Sequence, residues 1–145
     1  MADFKYFTFK ELIASNEAAK RKIDNTQSWT VVSHLEELTE KILEPLREAW
    51  GSSIIVTSCY RCDALNRLVG GVSTSAHRLG YAADLYPGNG KIDEFGKFVK
   101  EWLPKSGTKW DQVLFETKDK SRWVHISLKS STGSQRCETK NLVVK

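Results

Sequence analysis

The chain has 145 residues and a formal charge of +4, with 40% hydrophobic and 28% charged residues. This length fits one domain with a buried core, and this composition excludes a disordered or fibrous protein. Lysine and arginine are mixed with aspartate and glutamate in every segment, so the basic balance indicates a solvated surface rather than a nucleic-acid site.

The N-terminal stretch MADFKYFTFKELIAS carries charges every few residues and has no long apolar run. We therefore expect neither a signal peptide nor a membrane anchor, and we expect synthesis in a cytoplasm. Thr8 and Glu11 have the spacing of a capping box, which predicts a short helix after Thr8.

A longer helix is predicted from about Ser33 to Trp50, because apolar residues recur there at helical spacing. Ser33 begins it with a second capping box, and Gly51 ends it. Pro45 lies inside the pattern, so we expect a kink or two shorter helices that meet there.

The middle of the chain alternates irregularly between strand and helix patterns. Strands are predicted at residues 53–58, 81–86, 111–116 and 122–128, and helices at 63–72 and 91–103. Because no regular βαβ alternation is present, we predict an α+β fold, with a mainly antiparallel sheet, helices on one face and the other face free for a site.

We expect this organisation to form a single domain. Its three parts are a helical N-terminal part at residues 1–50, a sheet with its helices at residues 53–128, and a C-terminal tail or edge strand at residues 129–145. Three cysteines are an odd number, and the pair in CYRC has no second pair at zinc-finger spacing. We interpret Cys59, Cys62 and Cys137 as free thiols.

The stretch STSAHRLGYAADL holds His77 and Asp84 seven positions apart. In a continuous strand that odd separation would place the two side chains on opposite faces. A turn at Gly80 removes the continuity, so His77 on the entering loop and Asp84 on the strand can point to one spot.

The alternation of side chains along RWVHISL places His125 on the open face with Trp123 and Ser127. The same rule applied to DQVLFE places Leu114 and Glu116 on that face, if the two strands pair. Trp123 borders this cleft and can stack on a substrate. The remaining histidine, His34 on the long helix, is interpreted as an exposed or capping residue.

Two imidazoles and one carboxylate are the ligand set of a catalytic zinc that keeps its fourth position for water. A purely structural interpretation remains open beside it. In that interpretation His77 caps a turn, Asp84 pairs with Arg78, and His125 is an ordinary strand histidine. The chain contains no HExxH motif that would decide between them.

The ordered motifs S-x-H, G-x-A-x-D and W-x-H in TSCYRCDALNRLVGGVSTSAHRLGYAADL, WDQVLFE and WVHIS resemble the zinc D-Ala-D-Ala carboxypeptidase and phage-endolysin peptidase family. The resemblance covers nearly the whole chain and is to the small single-domain members. It implies one zinc ion held by His77, Asp84 and His125, and a fold shared with hedgehog-type domains. It also implies that Arg61 and Ser75 contact the substrate, and an arginine fork suits a peptide carboxylate or carbonyl.

The chain departs from this family at one position. Several relatives carry the catalytic glutamate three residues before the last histidine ligand, where this chain has Arg122, which cannot accept a proton. Glu116 is the preferred candidate for the base, and Asp111 and Asp119 remain alternatives.

These observations predict a zinc peptidase that hydrolyses amide bonds in peptidoglycan peptides, as a D,D-carboxypeptidase or an endopeptidase. The alternative is a non-catalytic, zinc-stabilised module that binds the cell wall or a protein. We expect a monomer with no nucleic-acid partner and no stable membrane association. The resemblance further implies a phage- or prophage-encoded protein, and we expect it to reach the bacterial cell wall through phage-induced membrane pores or as part of a virion.

Overall fold

The structure, a computed structural model, describes residues 1–144. Its α-helices are α1 Phe9–Ile13, α2 Asn16–Lys20, α3 Trp29–Leu38, α4 Glu44–Trp50, α5 Asp63–Leu68 and α6 Ile92–Trp102. Its strands are β1 Ile54–Ser58, β2 Ala82–Pro87, β3 Gln112–Lys118, β4 Ser121–Ser127 and β5 Glu138–Val143. A π-helical turn spans Thr39–Leu43, and two 3₁₀ helices span Ala76–Leu79 and Leu103–Lys105.

The first helix begins as predicted, because the capping box between Thr8 and Glu11 is formed in both directions. The predicted start of the long helix at Ser33 is wrong. The hydroxyl of Ser28 accepts the backbone N–H of Val31, so α3 begins one turn earlier. Val31 is buried in the core, and this packing outweighs the low helix propensity of the β-branched residues beside it.

The long helix continues through Pro45 by way of the π-helical turn. The N–H of Glu44 donates to the carbonyl of Thr39, five residues back, which widens the turn just before the proline. The hydroxyl of Thr39 donates to the carbonyl of Leu35 at 2.7 Å inside the same helix. The wider turn accommodates Pro45, which has no backbone N–H to donate. Gly51, with φ +76°, ends α4 as predicted.

The five strands form one sheet in the order β1-β2-β4-β3-β5. All neighbouring pairs are antiparallel except β3 and β5, which are parallel. The predicted α+β class with a mainly antiparallel sheet is confirmed. The division into three parts stays a prediction, and Lys145 lies outside the described residues.

One face of the sheet carries the hydrophobic core. Sheet residues and helix residues join in a single buried cluster there; among its members are Leu35, Leu38, Ile42 and Leu46 from the long helix, Phe95 and Val99 from α6, and Ala83, Leu85, Val113, Val124 and Ile126 from the sheet. Helix packing on this face leaves the opposite face free for a site. Among residues 1–144, no helix is long and apolar enough to cross a bilayer.

Candidate metal centre

His77 lies in the 3₁₀ helix Ala76–Leu79, directly before β2. The hydroxyl of Ser75 caps this turn by accepting the backbone N–H of His77 at 3.2 Å. Gly80 ends it with φ +80°, and a Cβ at Gly80 would come within 2.9 Å of the carbonyl oxygen of Val31 in α3. The turn is thus closely packed against the long helix, which fixes the position of the buried His77 side chain.

Asp84 and His125 face each other directly across the antiparallel pair β2 and β4. His125 Nδ1 lies 3.0 Å from Asp84 Oδ1, and His77 Nε2 lies 3.2 Å from the same oxygen. The two imidazole rings are 5.1 Å apart between centroids, nearly edge to face. The structure therefore brings the three predicted ligand residues to one point.

The hydrogen bonds determine which nitrogen of His77 is free. Its Nδ1 lies 2.6 Å from the carbonyl oxygen of Cys59, so Nδ1 carries a proton and donates it. Burial lowers the pKa of His77, which favours the neutral ring with a lone pair on Nε2. Burial alone would raise the pKa of Asp84, but protons held by the two imidazoles lower it below its ordinary value, so Asp84 is a carboxylate.

A lone pair of His77 and a carboxylate oxygen of Asp84 that lie 3.2 Å apart need a cation between them, either a proton or a metal ion. The donor atoms of His77, Asp84 and His125 all lie within 4.8 Å of one another, and the two shorter contacts approach the ~3.4 Å ligand spacing around tetrahedral zinc with bonds of ~2.0–2.1 Å. The Cys59 carbonyl orients His77 as the outer partners of zinc-bound histidines do. The site therefore fits zinc by its chemistry and its spacing.

The pairing of Asp84 with Arg78, which the structural interpretation required, does not occur. Arg78 lies 3.5 Å from Asp63 instead. The carboxylate of Asp84 is left to the two imidazoles.

A cavity of about 570 Å³, here called the catalytic cavity, opens beside these three residues. Its volume lies in the range of small-molecule sites. Every residue predicted for the site contributes to its lining: Arg61, Ser75, His77, Asp84, Glu116 and His125. These six side chains come from four parts of the chain, namely the segment after β1, residues 75–84, β3 and β4.

Glu116 is half-buried in this cavity, two residues along β3 from Leu114, the residue that pairs with His125. Its own cross-strand partner is Trp123, whose indole N–H donates to Glu116 Oε2 at 2.5 Å. Burial, together with the nearby charge of Asp84, raises the pKa of Glu116. A carboxyl group with a raised pKa is suited to exchanging protons near neutral pH.

The two alternative bases are placed differently. Asp111 is buried, and both of its oxygens accept hydrogen bonds from the guanidinium of Arg136 at 2.8 Å. Asp119 is exposed at the turn between β3 and β4 and does not line the catalytic cavity. Arg122, at the position where several members of the resembled family carry a glutamate, pairs with Asp93 of α6. Of these carboxylates, Glu116 alone is both in the cavity and free of an ion pair.

Arg61 points into the cavity from the segment after β1. Its backbone N–H donates to the carbonyl of His77 at 3.1 Å, and among residues 1–144 its buried Nε has no hydrogen-bond partner. Burial lowers its pKa, while the charges of Asp84 and Glu116 favour the cation. A buried guanidinium with an unused donor is available to a ligand.

Asn25 forms hydrogen bonds to the residues on both sides of Arg61, a role that the sequence did not predict. Its side-chain oxygen accepts the N–H of Cys62 at 2.8 Å, and its side-chain nitrogen donates to the carbonyl of Tyr60 at 3.2 Å. The sequence indicates only a polar connector there, because the contact spans more than thirty residues and leaves no spacing pattern.

The third histidine lies outside the ligand group. His34 stacks on Tyr81 with ring centroids 3.9 Å apart, and its Nδ1 donates to the carbonyl of Leu79 at 2.6 Å. The interpretation of His34 as an exposed or capping residue is wrong, because it is half-buried and joins the long helix to the turn of His77.

The three cysteines are free thiols, as predicted. Cys59 is buried, and burial raises its pKa, whereas Cys62 is partly buried and Cys137 is exposed. None of the three belongs to the group of potential metal ligands found in the described residues.

Comparison with known protein families identifies one match over most of the chain. A sequence model described as Peptidase M15 matches residues 5–127, which contain all six predicted site residues. Among curated proteins, none matches the chain significantly.

Proposed function

The chain belongs to the peptidase M15 family, and from that premise we propose that it is a zinc metallopeptidase which hydrolyses amide bonds in the peptides of bacterial peptidoglycan. One observation carries the proposal: His77, Asp84 and His125 converge at the wall of a cavity that also holds Glu116 and Arg61. Three protein ligands with one open position are typical of catalytic zinc sites, whereas structural sites are closed by four.

Zinc held by His77, Asp84 and His125 would act as a Lewis acid on the scissile carbonyl and would lower the pKa of a water molecule toward about 7. Glu116 accepts a proton from the attacking water through Oε1, the oxygen that Trp123 leaves free. It then donates that proton to the leaving amine. The carbonyl carbon gains the water oxygen, the C–N bond breaks, and Glu116 returns to its starting form.

Arg61 and Ser75 orient the substrate. Arg61 offers a buried N–H without a partner to a carbonyl or carboxylate oxygen of the peptide. The hydroxyl of Ser75 uses its oxygen to accept the N–H of His77, so its own proton remains available to the same substrate group. Fixed donors of this kind favour the charge that develops on the carbonyl oxygen.

We place the substrate in the bacterial cell wall, in an endolysin-like role for a phage-encoded protein. Support comes from the family and from the net charge of +4, which favours approach to an anionic envelope. We also propose a monomer. Addition of the protein to permeabilised bacteria tests this role in the cell wall. We expect lysis with the unmodified chain and no lysis with the Glu116→Gln variant.

The central experiment measures peptide release from purified peptidoglycan by mass spectrometry, with and without a chelator. We expect release that stops on chelation and returns with zinc. His125→Ala should lose both the bound zinc, measured by elemental analysis, and the release. Retention of full zinc content by this variant would contradict the ligand assignment.

The same measurement separates the enzyme from a zinc-stabilised binding module. A binding module would retain zinc and cosediment with peptidoglycan without releasing any peptide. It would also be unaffected in function by Glu116→Gln, whereas the peptidase should lose turnover and keep its zinc.

A further inference from the structure

One wall of the catalytic cavity is a short loop between α5 and the 3₁₀ helix of His77. We call residues 69–75 the cavity loop, and all of them except Ser73 line the cavity. The loop ends at Ser75, whose hydroxyl accepts the N–H of His77. The conformation of the loop therefore decides where Ser75 meets a substrate.

The cavity loop has few side chains that could hold it in place. Gly70 and Gly71 carry none, and Val72 is 68% exposed. Because glycine has more backbone freedom than any other residue, this sequence alone does not specify one conformation. Among residues 1–144, the only side chain that forms a hydrogen bond to the backbone of residues 70–74 is that of Asn66.

Asn66 lies in α5 and holds the cavity loop through two hydrogen bonds. Its side-chain nitrogen donates to the carbonyl of Val72 at 2.9 Å, and its backbone carbonyl accepts the N–H of Gly71 at 2.8 Å. The carbonyl of Val72 also accepts the N–H of Ser75 at 3.0 Å. One carbonyl oxygen thus joins the side chain of Asn66 to the residue that is proposed to contact the substrate.

Asn66 and Gly71 are packed so closely that only glycine fits at position 71. A Cβ there would come within 2.0 Å of Asn66 Oδ1. Asn66 is 1% exposed, and its Oδ1 has no hydrogen-bond partner among residues 1–144. Burial of an unpaired oxygen costs free energy that an apolar side chain of similar size would avoid. The stability of α5 alone therefore does not account for an asparagine here, whereas its hydrogen bond to the loop does.

We propose that Asn66 is a positioning residue for substrate binding, which holds the cavity loop in the arrangement that lets Ser75 contact the peptide. This inference rests on the proposed function and adds a residue to it. Asn66 does not line the cavity, so it acts through the loop. Without its side-chain amide, the loop would adopt the binding arrangement only part of the time, and the apparent affinity would fall by that fraction. A bound substrate would restore the arrangement, so kcat should change little.

Steady-state kinetics of the zinc-loaded protein on soluble muropeptides test this role. We expect Asn66→Ala to raise KM about three- to tenfold, the equivalent of one hydrogen bond, with kcat within about twofold and zinc content unchanged. Thr39→Val is the matched control, because it removes a buried hydrogen bond to a backbone carbonyl of the long helix, outside the cavity. An unchanged KM for Asn66→Ala, or an equal rise for Thr39→Val, would overturn the proposal.

Gly71→Ala alters the same contact and keeps Asn66 in place. The added Cβ must separate the loop from Asn66, so KM should rise in this variant as well. In the Asn66→Ala background the atoms nearest to this Cβ are gone, and Gly71→Ala should then raise KM by less than about twofold. Equal effects of Gly71→Ala in both backgrounds would show that the two residues are not coupled and would overturn the assignment of Asn66.

Hydrogen exchange separates a failure of this inference from a failure of the proposed function, because it needs no turnover. The backbone amides of residues 71–75 should exchange faster in Asn66→Ala than in the unmodified chain or in Thr39→Val, measured by mass spectrometry of peptic fragments. Unchanged exchange in this segment would overturn the inference whether or not the protein is a peptidase. Faster exchange in Asn66→Ala, without any peptide release by the zinc-loaded unmodified chain, would overturn the proposed function and leave the anchoring of the loop by Asn66 in place.

Discussion

Trp123 donates its indole N–H to Oε2 of Glu116 at 2.5 Å, across the paired strands β3 and β4. The bond fixes one carboxylate oxygen and leaves the other free. It also favours the ionised form of Glu116, while burial disfavours it, and the net pKa is raised. A residue on the neighbouring strand therefore orients the proposed base and partly offsets the rise in its pKa that burial and Asp84 cause.

Trp123→Phe should lower kcat about tenfold, because it retains the ring and removes a hydrogen bond to a charged group worth ~1.5–3 kcal/mol. Without this donor the pKa of Glu116 rises further, so the acidic limb of the kcat/KM profile should move to higher pH. The measurement is the pH dependence of peptide release at constant zinc occupancy. An unshifted acidic limb would show that Trp123 does not act through Glu116.

Glu116→Gln should lower kcat by about 10²- to 10⁴-fold, the usual contribution of a general base, with zinc content retained. The matched variant is Asp111→Asn, which removes the charge that the guanidinium of Arg136 contacts. Asp111→Asn should lower the free energy of unfolding by about 1–2 kcal/mol and keep turnover within a few-fold of the unmodified chain. If the two kinetic effects were exchanged, Asp111 would be the base.

Gly80→Ala should lower the free energy of unfolding and weaken zinc binding. Its Cβ would press on the carbonyl of Val31 at 2.9 Å and displace the turn that holds His77. Gly107→Ala is the control, since Gly107 has the same φ of +80° with no atom within 4 Å of the added carbon. Both variants strain the backbone, and the contact with Val31 should add about 1–3 kcal/mol in Gly80→Ala alone. If denaturant titrations showed the same loss in free energy of unfolding for Gly80→Ala and Gly107→Ala, the contact with Val31 would make no contribution.

Chelation should lower the melting temperature of the unmodified chain, because an ion bound only by the folded state stabilises it. His77→Ala, which removes one of the three ligands, should melt at the same temperature with and without the chelator. Differential scanning calorimetry provides both values. A chelator effect that survives in His77→Ala would place the stabilising ion elsewhere.

Strand periodicity was sufficient to predict much of the sheet and of the site. Alternation along β3 and β4 places His125, Leu114 and Glu116 on one face, and the observed register pairs Leu114 with His125 directly. This works because the period of two is a property of the extended backbone itself, whatever the strand packs against. The cross-strand partnership of Glu116 with Trp123 follows from the same register.

Features that depend on tertiary packing could not be predicted from the periodicity of the sequence. The start of α3 at Ser28 depends on the burial of Val31. The 3₁₀ helix that carries His77 depends on its contact with α3. Asn25 reaches the segment of Arg61 through two hydrogen bonds, to Tyr60 and Cys62, and it donates a third to the carbonyl of Ile13 in α1. No local pattern encodes such contacts, since each depends on which elements the fold brings together.

The strand β5 and the loop before it form one wall of the catalytic cavity, through Ser130, Arg136, Leu142 and Val144. This wall lies beyond residue 127, where the family match ends. The buried Asp111 anchors it through Arg136. The proposed metal ligands and this wall of the cavity thus come from different stretches of the chain. Replacement of this final segment should therefore change which peptides the cavity accepts while His77, Asp84 and His125 stay in place.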